Sequence, residues 1–207
     1  MPTLLSEIDV RLEKSDLLRR VVLPRDVGPD GMIIPPSRAH GLHLSGLLKY
    51  VAVKSRITDR LAEIEEEEMP LRWMLGLAIE EYLASLHTWM TWQPCEMHNP
   101  LIMNCDGITM DGPEGYPLII EEFKCRRAKK IPGKDFLSKK WLFSQQGLGY
   151  CLGYGTDLVR WHVFNLFEFP DPIYTKYLFQ FDQSELDATA RMIEVNREAA
   201  IREGYAE

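Results

Sequence analysis

Two short apolar runs with a Gly/Pro-rich turn between them restrict this chain more than any other feature. The first run, Leu101-Ile102-Met103, leads into Asn104-Cys105-Asp106-Gly107; the second, Leu118-Ile119-Ile120, leads into Glu121-Glu122-Phe123-Lys124. Between them stands Asp111-Gly112-Pro113-Glu114-Gly115, built from residues that favour turns. Apolar runs bounded by turn residues read as strands, so residues 100–110 and 116–125 are expected to fold back on each other as a hairpin. Such a fold brings Asp106 and Glu122, sixteen residues apart in sequence, together with Lys124. Two carboxylates and an amine at one point suit a divalent cation and a phosphodiester.

The remaining elements set a fold class around that hairpin. Leu71, Met74, Leu75, Ala78, Ile79, Tyr82, Leu83 and Leu86 recur at helical spacing, so a helix is expected over 70–92. Further helices are expected at 44–56, with Ser45 near the start, at 137–151 and at 184–202. Asp182 and Glu185 have the spacing of a capping box for the last of these. Strands are expected at 158–169 and 173–181, and the aromatic stretch from Trp161 to Phe169 reads as core, with an interface as the alternative. This order predicts an α/β or α+β domain with a mixed central sheet flanked by helices. The 207 residues fit one domain: an N-terminal helical and loop region at 1–69, a core at 70–181 and a C-terminal helix at 182–207.

Composition narrows the function classes. The net charge of −7 argues against a nucleic-acid partner until its distribution is examined. From Lys124 to Lys140 eight cationic side chains face Asp135 alone, so 17 residues carry +7 and the rest carry −14. A concentrated basic strip can grip a phosphate backbone even on an acidic protein. Of the four cysteines, Cys95, Cys105, Cys125 and Cys151, no two form a CxxC pair. Reduced thiols are therefore expected, with neither a structural zinc nor an iron–sulfur cluster. No apolar run approaches the ~18 residues of a membrane span, and the N-terminus lacks the order of a signal peptide. A cytoplasmic protein without a membrane partner is expected (in the host cytoplasm if the chain is viral).

Glu122, Phe123 and Lys124 show how a strand could present this chemistry. Side chains alternate across a strand, so Glu122 and Lys124 share one face while Glu121 and Phe123 take the other. Phe123 can then pack inward and leave its carbonyl available to a cation. Asp106 precedes Gly107, which permits close approach of backbone and metal; Asp111 lies in the turn and is better explained by turn chemistry. Glu80 follows Gly76 by one helical turn and can project toward the hairpin, with Glu81 as its rival. Gln146 and Tyr150 fall four apart on one helix face. Gly147, Gly149 and Gly153 make that helix lean enough for close approach of a backbone or of DNA.

The order Gly-xxx-Glu, Asp-Gly, Glu-x-Lys, Gln-xxx-Tyr resembles the PD-(D/E)XK nuclease superfamily, in particular its RecB-like branch with the lambda-type phage exonucleases. The resemblance spans about residues 72–155 and implies a restriction-endonuclease-like core. It implies catalytic roles for Glu80, Asp106, Glu122, Lys124, Gln146 and Tyr150. It also implies ligation of one or two Mg²⁺ or Mn²⁺ ions by Glu80, Asp106, Glu122 and the Phe123 carbonyl. DNA, double- or single-stranded, would then be gripped by Arg126, Arg127, Lys129 and Lys130, with Arg38, His40 and Ser45 at a terminal phosphate. Ser45 is equally explained as a helix cap. A homo-oligomer and a single-strand-annealing or recombination partner are left open. The chain departs from the pattern in carrying Cys105 where a proline often precedes the Asp. It also lacks the cysteine set of the iron–sulfur members. The expectation is a metal-dependent deoxyribonuclease, an exonuclease in recombination, repair or phage DNA processing. Its rivals are a structure-specific or restriction-type endonuclease and a non-catalytic nucleic-acid-binding subunit.

Overall fold

A computed structural model describes residues 1–10, 41–57, 91–92, 95–98, 101–110, 118–126, 135, 137, 141–165 and 173–206. Eight strands and three helices lie in these segments. The strands are β1 (Thr3–Val10), β2 (Thr91–Trp92), β3 (Cys95–His98), β4 (Leu101–Asn104), β5 (Gly107–Thr109), β6 (Ile119–Arg126), β7 (Leu158–Asn165) and β8 (Ile173–Gln180). The helices are α1 (Leu44–Lys54), α2 (Trp141–Tyr154) and α3 (Gln183–Arg202).

Six strands form one mixed sheet in the order β1-β8-β7-β6-β5-β2, and β3 pairs with β4 in a separate two-stranded ribbon. Among the described strands, only β6 and β7 pair in parallel. A parallel pair needs a long return connection, and α2 lies within that connection. It packs against α1, α3 and the central strands. Leu44, Leu47 and Leu48 of α1, Leu148 and Cys151 of α2, and Leu186 and Ile193 of α3 bury against Trp161, Val163, Tyr177 and Phe179 of the sheet. The mixed α/β architecture is thus the one the element order predicted. No helix among the described residues is long and apolar enough to cross a membrane.

Three expectations change. The single strand expected over 100–110 is two strands, β4 and β5, that pair with different partners and part at Cys105-Asp106. Its apolar residues are buried, but periodicity could not show that the chain steps from ribbon to sheet there. The N-terminal region is not wholly helix and loop: Thr3–Val10 is the edge strand of the main sheet, paired antiparallel with β8. Leu5 and Ile8 on it stay exposed, so the alternation that marks a half-buried strand is blurred. Thr91-Trp92, expected as the end of a helix, pairs with Ile108-Gly107 as a strand. Residues 58–90, which hold the rest of that expected helix, lie outside the described segments.

The glycines of α2 are filled by neighbouring protein. A Cβ on Gly149 would stand 2.6 Å from Leu44 Cδ2, one on Gly153 2.7 Å from Met103 Sδ, and one on Gly147 3.3 Å from the Trp161 and Phe181 rings. The lean helix therefore admits α1, β4 and the sheet; close approach by DNA is not its explanation. The last helix starts as expected: Asp182 Oδ1 accepts from the Glu185 N–H at 3.0 Å, and Glu185 Oε2 accepts from the Asp182 N–H at 3.3 Å.

Gly46 offers the sharpest packing test. A Cβ there would lie 2.6 Å from the backbone oxygen of Tyr205, which has no rotamer to yield. Gly46→Ala gains about 1 kcal/mol of helix propensity but overpacks a junction where such clashes cost about 1–3 kcal/mol. A net loss of stability is expected in denaturant unfolding. A gain would show that the C-terminal segment moves freely away from α1.

Candidate metal and catalytic site

The site forms where β5 stops and β6 continues. The two strands pair antiparallel at Gly107↔Glu121, Ile108↔Ile120 and Thr109↔Ile119. One step further along that register sets Asp106 opposite Glu122, and opposed residues share a face of the sheet. The backbone ladder ends there and side chains replace it. The Phe123 N–H donates to Asp106 Oδ2 at 2.7 Å, and the Asp106 N–H to Glu122 Oε2 at 3.4 Å. Cys105, just before the crossing, is buried, and its thiol donates to the Gly107 carbonyl at 3.3 Å.

Helix α2 completes the cluster from above the sheet. Gln146 Nε2 donates to Glu122 Oε1 at 2.8 Å and to the Tyr150 hydroxyl at 3.1 Å. Lys124, two residues on from Glu122, brings its Nζ to 2.5 Å from the same Oε1. The structure thus gathers Asp106, Glu122, Lys124, Gln146 and Tyr150 at one point. Glu80, with its rival Glu81, lies outside the described residues, as do Asp111, Arg38, His40, Arg127, Lys129 and Lys130. Arg126 closes β6. Ser45 is exposed in the first turn of α1, whose N-cap is His43, so it does not cap the helix.

Electrostatics at this point are dominated by burial of like charges. Burial, then the neighbouring Asp106 carboxylate, raises the Glu122 carboxyl from 4.5 to about 8, against the pull of Lys124. Burial likewise lifts Asp106, with Lys124 and the Phe123 N–H opposing. Tyr150 is held well above its ordinary range by burial and by both carboxylates. With both carboxyls ionised, two negative charges would face one ammonium, an excess that a cation would relieve.

The donor set fits a hard divalent cation such as Mg²⁺ or Mn²⁺. In a strand a residue's N–H and C=O leave on the same side. The Phe123 N–H is given to Asp106 on the β5 side, so its carbonyl leaves on that side of the strand as well. On Glu122, Oε1 is taken by Lys124 and Gln146, which turns Oε2 toward Asp106. Among the described residues no third His, Cys, Asp or Glu joins these two carboxylates.

The opposite face of β6 carries a second polar cluster that sequence reasoning missed. Glu121 faces away from Glu122, as strand alternation requires. Its Oε1 meets Arg160 at 2.6 Å and its Oε2 meets His162 Nε2 at 2.6 Å, while His162 Nδ1 meets the Tyr174 hydroxyl at 2.5 Å. The His162 ring stacks on Phe123 with centroids 4.3 Å apart. Burial raises Glu121 to about 7, opposed by Arg160, and holds His162 well below its usual range. The signal was present as Arg160 and His162 alternating within an apolar strand, but nothing local links them to Glu121.

No family model matches the chain, and no curated protein does. Among solved structures the chain is similar to the crystal structure of SSO0001, with 12% identity, a TM-score of 0.47 and coverage of 78% of each chain. A likeness at that level carries no argument about function.

Two outcomes follow from the charges. A carboxyl raised in the folded state stabilises the fold while it is protonated, and that stability is lost as pH rises through the folded value. In chelator, thermal stability should therefore fall as pH rises from about 4.5 to about 8. Glu122→Gln should flatten the fall, and a profile unchanged by Glu122→Gln would show that this carboxyl does not titrate in that window. Glu121→Ala strips Arg160 and His162 of a buried partner and should cost about 3–5 kcal/mol in denaturant unfolding. A loss below about 1 kcal/mol would mean that water enters this face of the sheet.

Proposed function

We propose that the chain is a metal-dependent nuclease that hydrolyses phosphodiester bonds of DNA, acting as an exonuclease in recombination, repair or phage DNA processing. One observation carries the proposal. Asp106, Glu122 and Lys124 meet where β5 ends beside β6, with Gln146 and Tyr150 above them, and bonds of 2.5 to 3.4 Å run from each group to the next. The motif order supports the RecB-like branch, and that resemblance favours an exonuclease over a structure-specific or restriction-type endonuclease.

Each residue has a part in the reaction. Asp106, Glu122 and the Phe123 carbonyl would hold the cation, with Glu80 as the further carboxylate the sequence offers. The ion, Mg²⁺ or Mn²⁺, supplies charge that lowers the pKa of water and offsets the negative charge growing on the phosphate. Lys124 hydrogen-bonds the attacking water or a phosphate oxygen from its place beside Glu122. Gln146 fixes the Glu122 rotamer by its bond to Oε1, and Tyr150 fixes the Gln146 amide in turn. Positioning of this kind contributes because a displacement of ~1 Å costs about 10²-fold in rate. The basic strip that starts at Lys124 grips the phosphate backbone, which gives salt-sensitive affinity with little base specificity.

End-labelled linear duplex and closed circular DNA, each with Mg²⁺ and with EDTA, test the proposal. Linear DNA should be degraded from its ends in Mg²⁺, circles should survive, and EDTA should stop the reaction. Asp106→Ala, Glu122→Ala and Lys124→Ala should each remain folded by circular dichroism and lose at least about 10²-fold in rate. Cleavage of circles would move the reading to an endonuclease. A folded wild-type protein that cuts neither substrate and binds no Mn²⁺ at Asp106 and Glu122 would be a non-catalytic subunit.

A further inference from the structure

Lys124 is held by more than Glu122. Its Nζ stands 5.5 Å from the centroid of the Trp161 ring and 5.7 Å from that of Phe143, within the ~6 Å at which an ammonium is drawn to an aromatic face. The two rings stack on each other with centroids 5.6 Å apart and planes 28° apart. They come from different elements. Trp161 is the β7 residue paired with Glu122 in the parallel register, so it lies on the same face of the sheet as Glu122 and Lys124. Phe143 sits on α2, three residues before Gln146 and seven before Tyr150, a spacing that puts all three on one stripe of the helix. One stripe of α2 therefore faces the site: Phe143 toward Lys124, Gln146 toward Glu122, and Tyr150 toward Gln146.

We propose that Phe143 and Trp161 are positioning residues that form an aromatic seat for the Lys124 ammonium. The physical reason lies in what Glu122 must do. In the present arrangement its Oε1 attracts Lys124 at 2.5 Å. When a divalent cation shares the Glu122 charge, that attraction weakens and the ammonium is repelled by the ion. A flexible four-carbon stem, 21% exposed here, would then be free to swing into water. The attraction of a ring face does not depend on the Glu122 charge, so the seat keeps the ammonium beside the site once the carboxylates are engaged. Trp161 is fully buried and Phe143 half-buried, so both ring positions are set by packing. The seat is argued from contacts alone; only its catalytic consequence rests on the nuclease reading.

The test has a readout that does not need activity. In chelated protein with ¹³C-labelled lysine, the Lys124 Cε–Hε signal, assigned by its loss in Lys124→Arg, should lie upfield of the other lysines through the ring currents. It should move back toward them in Phe143→Leu and stay in Phe143→Tyr, which keeps the ring. In Mg²⁺, Phe143→Leu should lower kcat on linear DNA about 5- to 30-fold, with KM within about twofold, and Phe143→Tyr should restore it. A wild-type Lys124 signal among the exposed lysines overturns the seat without any variant, as does a Phe143→Leu protein with unchanged signal and kcat. A shifted signal that responds to Phe143→Leu in a wild-type protein that does not cut DNA would uphold the seat and remove the nuclease reading.

Discussion

The short bond from the Phe123 N–H to Asp106 Oδ2 is the contact on which the candidate site depends. A backbone donor that would otherwise enter a β-ladder is given to a side chain at the point where β5 ends. That exchange sets the Asp106 carboxylate beside Glu122 on one face and aims the Phe123 carbonyl to the same side. It also stabilises the charged form of Asp106 against the burial that disfavours it. Without this contact the two acids, one buried and one half-buried, would have every electrostatic reason to part.

Strand β6 serves two separate chemistries because its side chains alternate. Glu122 and Lys124 face α2 and the site; Glu121 and Phe123 face Arg160, His162 and Tyr174. Two adjacent glutamates, identical in composition, thus have different work. Glu121 is locked to a guanidinium and an imidazole, an arrangement that fixes the strand from behind. Glu122 keeps one oxygen for its orienting partners and one toward Asp106. Buried ionic networks seldom add net stability over apolar packing, so the back cluster is better understood as fixing how β6, β7 and β8 lie relative to one another. The stacking of His162 on Phe123 carries that fixation to the residue whose N–H holds Asp106.

The helical layer has a comparable division. The glycines of α2 let it settle onto α1, Met103 and the Trp161 and Phe181 rings. That close seating is what brings Phe143, Gln146 and Tyr150 within reach of β6. In the sequence, where no partner is visible, the lean stretch reads as suited to close approach of either a backbone or DNA. In three dimensions the space a Cβ would fill is already occupied by protein.

Much was legible in the chain itself. Strand alternation separated Glu121 from Glu122, helical spacing put Gln146 and Tyr150 on one face, and Asp182 with Glu185 marked the start of α3, because each of these depends on local backbone geometry. The mixed α/β class followed from the order of the elements. What tertiary structure alone decided was non-local. The parting of β4 from β5 at Asp106, the edge position of β1, the union of Glu121 with Arg160 and His162 and the two rings against Lys124 all join segments far apart in sequence. Periodicity records which face a residue takes, while the neighbour that meets that face is chosen by the packing of the whole sheet.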